Sequence, residues 1–102
     1  MSFRPIARID VGKFFSEMAI LSPSNEVIAR MKIKHDSCSD FERTLGLLKK
    51  VEKDFASRAF IVIESTGHYH KTLFHSLCKN GFEVSIINPI QSNSIKILEL
   101  EK

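Results

Sequence analysis

Ala59-Phe60-Ile61-Val62-Ile63-Glu64 decides how the rest of the chain is read, because an unbroken apolar run stops abruptly at an acid. A strand with one wet face alternates apolar and polar residues. A run that is apolar on both faces is what a central strand covered by helices on each side requires. A second run, Ile6-Ala7-Arg8-Ile9-Asp10-Val11, also carries an acid near its end, at a position where a strand prefers an apolar or neutral side chain. Gly12-Lys13 breaks that run, apolar character resumes over 15–21, and Ser22-Pro23-Ser24-Asn25 forms a turn cluster. Val27, Ala29, Met31 and Ile33 then alternate with Arg30, Lys32 and Lys34, which predicts a third strand with bases on its exposed face.

Between this strand and the central run, Ser39 followed by Glu42 has the form of a capping box. Phe41, Leu45, Leu48 and Phe55 recur at helical spacing, so a helix is predicted over 40–55, with Lys49, Lys50 and Lys53 on its other face. After Glu64, Ser65-Thr66-Gly67 offers cap residues for a second helix, in which Tyr69, Leu73 and Leu77 form a stripe flanked by Phe74 and Cys78. Asn80-Gly81 supplies its stop. Phe82, Val84 and Ile86 alternate as a further strand, and Asn88-Pro89 opens a third helix that continues to Lys102. The predicted order is β-β-β-α-β-α-β-α, an α/β protein with a mixed five-stranded sheet and flanking helices. That is the ribonuclease H-like arrangement.

The 102 residues have room for one domain. With 43% hydrophobic and 26% charged residues, the composition is that of a globular protein rather than a disordered or fibrous one. Fifteen Lys and Arg against twelve Asp and Glu give +3, which is compatible with a polyanionic partner without requiring one. The apolar runs fall far short of the roughly 20 residues that span a bilayer, and the first residues lack a signal's apolar stretch. A cytoplasmic protein without a membrane partner is expected. Cys38 and Cys78 lie far apart with no Cys-x-x-Cys pair, so both are read as reduced thiols, Cys78 as a small buried hydrophobe of the second helix.

In this topology the strands ending at Asp10 and Glu64 are parallel neighbours, and both acids can reach one point beyond their carboxyl ends, where ligand sites in such sheets lie. Two carboxylates brought together repel, and a shared proton or a bound cation relieves them. Mg2+ takes oxygen ligands and combines one or two carboxylates with waters and phosphate oxygens, the composition needed to cut or join a phosphodiester. The other reading is that Asp10 caps a turn with Gly12 and that Glu64 forms a salt bridge or caps the following helix. On the residues alone both stand.

Three segments, Ile9-Asp10-Val11-Gly12-Lys13, Ile63-Glu64-Ser65-Thr66-Gly67-His68-Tyr69 and Ile87-Asn88-Pro89-Ile90-Gln91, resemble the N-terminal domain of a transposase family of bacterial insertion sequences. Its members are RNA-guided recombinases with a RuvC-like domain and an Asp-Glu-Asp-Asp catalytic set. The resemblance implies that Asp10 and Glu64 are the first two acids of the set, catalytic metal ligands for Mg2+. It makes Lys13 available to a phosphate, although an ordinary solvated turn lysine reads the same way. Thr66, Gly67 and His68 would sit at a helix N-terminus, where free amides favour a nucleic-acid phosphate. Gly67 and Tyr69 also serve a structural reading, as tight turn and core residue. His68 could instead act in proton transfer; with His70 and His75 it has no complementary ligands for zinc. DNA and a guide RNA are the implied partners.

The family's two later aspartates, and a C-terminal domain with a serine nucleophile, have no counterpart here. Glu99 and Glu101 point to different sides of a helix and do not replace them. Residues 1–102 are therefore expected to be the N-terminal part of the catalytic domain, truncated after the third helix. They would carry half a metal site, binding Mg2+ weakly or not at all and inactive in strand transfer alone. Uncovered apolar sheet surface would favour a homo-oligomer. Two rival functions remain. An actin-like or sugar-kinase ATPase domain also begins with an acid after its first strand, but Gly12-Lys13-Phe14-Phe15 is bulky for a phosphate hairpin. A non-catalytic nucleic-acid-binding or assembly module would use Arg30, Lys32, Lys34, Lys49, Lys50 and Lys53 as a basic surface.

Overall fold

Three antiparallel strands come first in the computed structural model, which describes residues 4–64 and 70–87: β1 (Ile6–Val11), β2 (Phe15–Leu21) and β3 (Val27–Lys34). Their sequences alternate, and so does their burial. Ala7, Ile9 and Val11 of β1 and Ser16, Met18 and Ile20 of β2 are buried, while Arg8, Asp10 and Glu17 face outward. The β1–β2 hairpin is closed by the Gly12 amide donating to the Phe15 carbonyl at 3.0 Å. A Cβ on Gly12 would lie 2.9 Å from that oxygen, so no larger residue fits without moving backbone. The next turn places Asn25 at φ 74, a conformation asparagine tolerates, with its amide donating to the Ser22 carbonyl at 2.8 Å.

Helix α1 (Cys38–Phe55) starts two residues before its expected position, and its cap is Ser37 rather than Ser39. The Ser37 hydroxyl accepts from the Asp40 amide at 3.1 Å, and the Asp40 carboxylate accepts from the Lys34 amide at 2.9 Å. Ser39 contacts the Ser37 hydroxyl instead. The buried stripe is Thr44, Leu48 and Val51, while Phe55 is 39% exposed, against its expected place in the core. Thr44 can be buried because its hydroxyl donates to the Asp40 carbonyl at 2.8 Å.

β4 (Phe60–Glu64) follows, then α2 (Lys71–Lys79) and β5 (Glu83–Ile87). Gly81, at φ 87, turns the chain out of α2, as the Asn80-Gly81 pair predicts. Phe82 is buried just ahead of β5. Cys78 is exposed, which corrects its expected burial: Leu73 and Leu77 define the inward face of this short helix, and the residue after Leu77 turns away. The predicted cap at 65–67 and the predicted third helix lie outside the described residues.

The sheet order is β3-β2-β1-β4-β5, with β1, β4 and β5 parallel to one another. Leu48 and Val51 of α1 and Leu73 and Leu77 of α2 join one core with Ala7, Ile9, Ile61 and Ile63, so both helices cover the same face. On the opposite face of β4, Phe60 and Val62 are half-buried. The Arg4 guanidinium lies 5.5 Å above the Phe60 ring there. The second helical layer anticipated for β4 is not supplied by α1 or α2.

Candidate functional site

The sheet face turned away from α1 and α2 owes its chemistry to register. β1 and β4 pair in parallel with Ile9 opposite Ile63 and Asp10 opposite Glu64. The isoleucines are fully buried, so the acids one residue later stand together on the outer face, at the carboxyl ends of their strands. The expected convergence of Asp10 and Glu64 is what this pairing produces. Across the hairpin Glu17 is opposite Asp10, and Lys32 is opposite Glu17. A lateral row therefore runs Lys32, Glu17, Asp10, Glu64 across four strands. Glu17 escaped sequence reading because a glutamate at an exposed, alternating strand position looks like any solvated residue, and only the hairpin register places it beside Asp10.

Arg8 was also missed. It lies two residues before Asp10 on the same face, and its guanidinium donates to Glu64 Oε2 at 2.8 Å. Of the two readings of Glu64, the salt bridge is thus present. Asp10 does not cap the Gly12 turn, since the Gly12 amide is already engaged with Phe15. A shallow cavity of about 280 Å³ opens on this face, with Arg8, Asp10, Glu17, Arg30 and Glu64 in its lining. Among the described residues no group of three or more His, Cys, Asp or Glu side chains is placed to hold a metal ion. Asp10 and Glu64 are the neighbouring carboxylates of this row, and the Arg8 guanidinium occupies one oxygen of Glu64.

Lys13 lies at the exposed hairpin tip just beyond Asp10, its ammonium 5.3 Å from the centroid of the Phe14 ring. Thr66, Gly67 and His68 lie outside the described residues.

A family model described as a transposase, DEDD_Tnp_IS110, matches residues 7–102, nearly the entire chain. The chain belongs to this transposase family. No curated protein matches the transposase chain. Among solved structures, a protein of actin-like ATPase fold and unknown function from Bacteroides thetaiotaomicron superposes with a TM-score of 0.57 at 17% identity, covering 93% of this chain and 38% of that one. An exopolyphosphatase from Cytophaga hutchinsonii gives 0.49 at 16% identity, over 90% and 36%. The Ppx/GppA phosphatase of Aquifex aeolicus gives 0.45 at 18%, over 84% and 36%. The first of these supports the fold, since the actin-like ATPase fold shares the ribonuclease H-like topology. This transposase chain spans little more than a third of each of those structures. Among the described residues no helix is long and apolar enough to cross a membrane.

Proposed function

We propose that the chain is the amino-terminal part of a RuvC-like catalytic domain of an insertion-sequence transposase, in which Asp10 and Glu64 hold Mg2+ against a DNA phosphodiester. The observation that carries this reading is the in-register pairing of Asp10 with Glu64 on the open face of the sheet. A bound Mg2+ supplies Lewis-acid stabilisation of charge on phosphodiester oxygens. The residues' own tasks are more specific. Asp10 presents an exposed carboxylate, Glu64 would hold the cation in place of Arg8, and the Arg8 guanidinium would then be available to a phosphate. Lys13 offers a further cation beyond the strand ends, and Thr66, Gly67 and His68 retain the phosphate contact that the family resemblance implies.

With two carboxylates of a four-acid set, residues 1–102 bind Mg2+ weakly and carry out no strand transfer alone. A guide RNA, self-association and a cytoplasmic location complete the reading. The actin-like fold of the first structural neighbour motivates a second one, an ATPase domain. The hairpin that follows Asp10 carries Phe14 and Phe15 where a phosphate-binding hairpin has small residues that let a nucleotide phosphate approach the backbone closely. Tight ATP binding by the chain would reinstate that reading.

Titration with Mn2+ under NMR observation tests the metal site, since a paramagnetic ion reports weak binding through line broadening. Amides flanking Asp10 and Glu64 should broaden first, and Asp10→Ala should abolish the effect. Broadening that ignores both Asp10→Ala and Glu64→Ala would end the proposal.

A further inference from the structure

The β1–β2 hairpin tip carries an aromatic and basic surface that the carboxylates do not account for. Phe14 is 74% exposed and Phe15 40%, so two consecutive aromatic side chains are offered to solvent. Lysines are gathered over both rings: the Lys13 ammonium lies 5.3 Å from the Phe14 centroid and Lys32 lies 4.2 Å from that of Phe15. With Lys34 these groups line a cleft of about 420 Å³. Asp36 is the acid of that lining, outnumbered by three lysines, so the cleft favours a polyanion.

The tip is also tied to its surroundings by hydrogen bonds. The His35 amide donates to the Phe14 carbonyl at 3.2 Å, and the Gly12 amide to the Phe15 carbonyl at 3.0 Å. His35 Nδ1 lies 3.1 Å from the Lys13 carbonyl, which can only accept, so Nδ1 is the donor. In the neutral ring Nε2 is then an acceptor, and it takes the hydroxyl hydrogen of fully buried Ser16 at 2.8 Å. Backbone clamped in this way loses little freedom on binding, which raises the affinity a given contact yields.

We infer that this hairpin tip is a docking surface for unpaired nucleotides of DNA, with a base stacked on Phe14 and the backbone phosphates met by Lys13, Lys32 and Lys34. A π-face beside ammonium groups is the combination that binds single strands without regard to sequence. In a duplex the base faces are already stacked and Phe14 has nothing to receive. The choice of DNA among polyanions rests on the transposase reading above, and the tip lies directly beyond Asp10, where a strand leaving the carboxylates would pass.

Fluorescence anisotropy of the full chain in EDTA tests this, using a labelled oligothymidylate of about 20 nucleotides and a duplex of equal length. Phe14→Ala should weaken single-strand binding about tenfold, change duplex binding less than about twofold, and be rescued by Phe14→Trp. Replacing Lys32 and Lys34 together by Gln should lower the slope of log affinity against log salt by about 1.4, the value for two phosphate contacts on a single strand. Several results would overturn the proposal: Phe14→Ala binding the single strand as wild type does, an equal loss on duplex, or oligouridylate bound about tenfold more tightly than oligothymidylate. So would sedimentation showing that Phe14→Ala breaks a dimer while oligonucleotide binding is unchanged. Because EDTA removes divalent ions, these outcomes stand apart from the Mn2+ result.

Discussion

Glu64 has Arg8 as its partner in the structure, and the cation of the proposed function would compete for the same carboxylate. In the structure Arg8 holds it at 2.8 Å, with the Arg8 side chain 57% exposed and that of Glu64 22% exposed. Solvent around the arginine screens the pair, and exposed ion pairs of this kind contribute about 0–1 kcal/mol. Arg8→Ala should therefore cost no more than about 1 kcal/mol in urea unfolding, and should lower the Mn2+ concentration needed to broaden the Asp10 and Glu64 amides. A loss well above that, with weaker Mn2+ broadening, would make Arg8 a structural ligand of Glu64 rather than a competitor. Asp10 and Glu64 were legible in the sequence because each is an acid in an apolar run, a placement with no packing advantage. Arg8 and Glu17 were not, because an arginine or a glutamate at an alternating strand position looks like any solvated residue.

Among the elements, α1 separates what a motif suggests from what geometry selects. Ser39-x-x-Glu42 and Ser37-x-x-Asp40 both have the form of a cap, and the helix takes the second. The reason is the approach from β3: Asp40 accepts from the Lys34 amide, which fixes the turn between strand and helix and leaves Ser37 in extended backbone at its start. Ser37→Ala should destabilise the chain by about 1 kcal/mol and Ser39→Ala by less than half as much, measured by thermal or urea unfolding followed by circular dichroism. The reverse order would return the cap to Ser39. The strands needed no such arbitration. The bounds of β1 and β2 coincide with their apolar and alternating runs because strand periodicity is written directly in neighbouring residues.

For the molecule as a whole, the two faces of the sheet carry unequal energy. Ile61 and Ile63 are fully buried beneath α1 and α2, whereas Val62 between them is half-buried on the other face. Ile63→Ala should cost about 2–5 kcal/mol, a large part of what a small domain has available. Val62→Ala should cost clearly less, and equal losses in urea unfolding would mean that the open face is packed as tightly as the helical one. Among the described residues no helix covers the face that carries the acid row.

The alternation of Ile9 with Asp10 and the apolar run ending at Glu64 determined, by sequence alone, which segments are strands and which acids are out of place. Both are properties of residues adjacent in the chain. Only the tertiary structure decided that Arg8 reaches Glu64, that Glu17 stands beside Asp10, and that Phe14 and Phe15 share a cleft with Lys32 and Lys34. These are cross-strand neighbours, and a register slip of one residue would have turned every one of them to the opposite face.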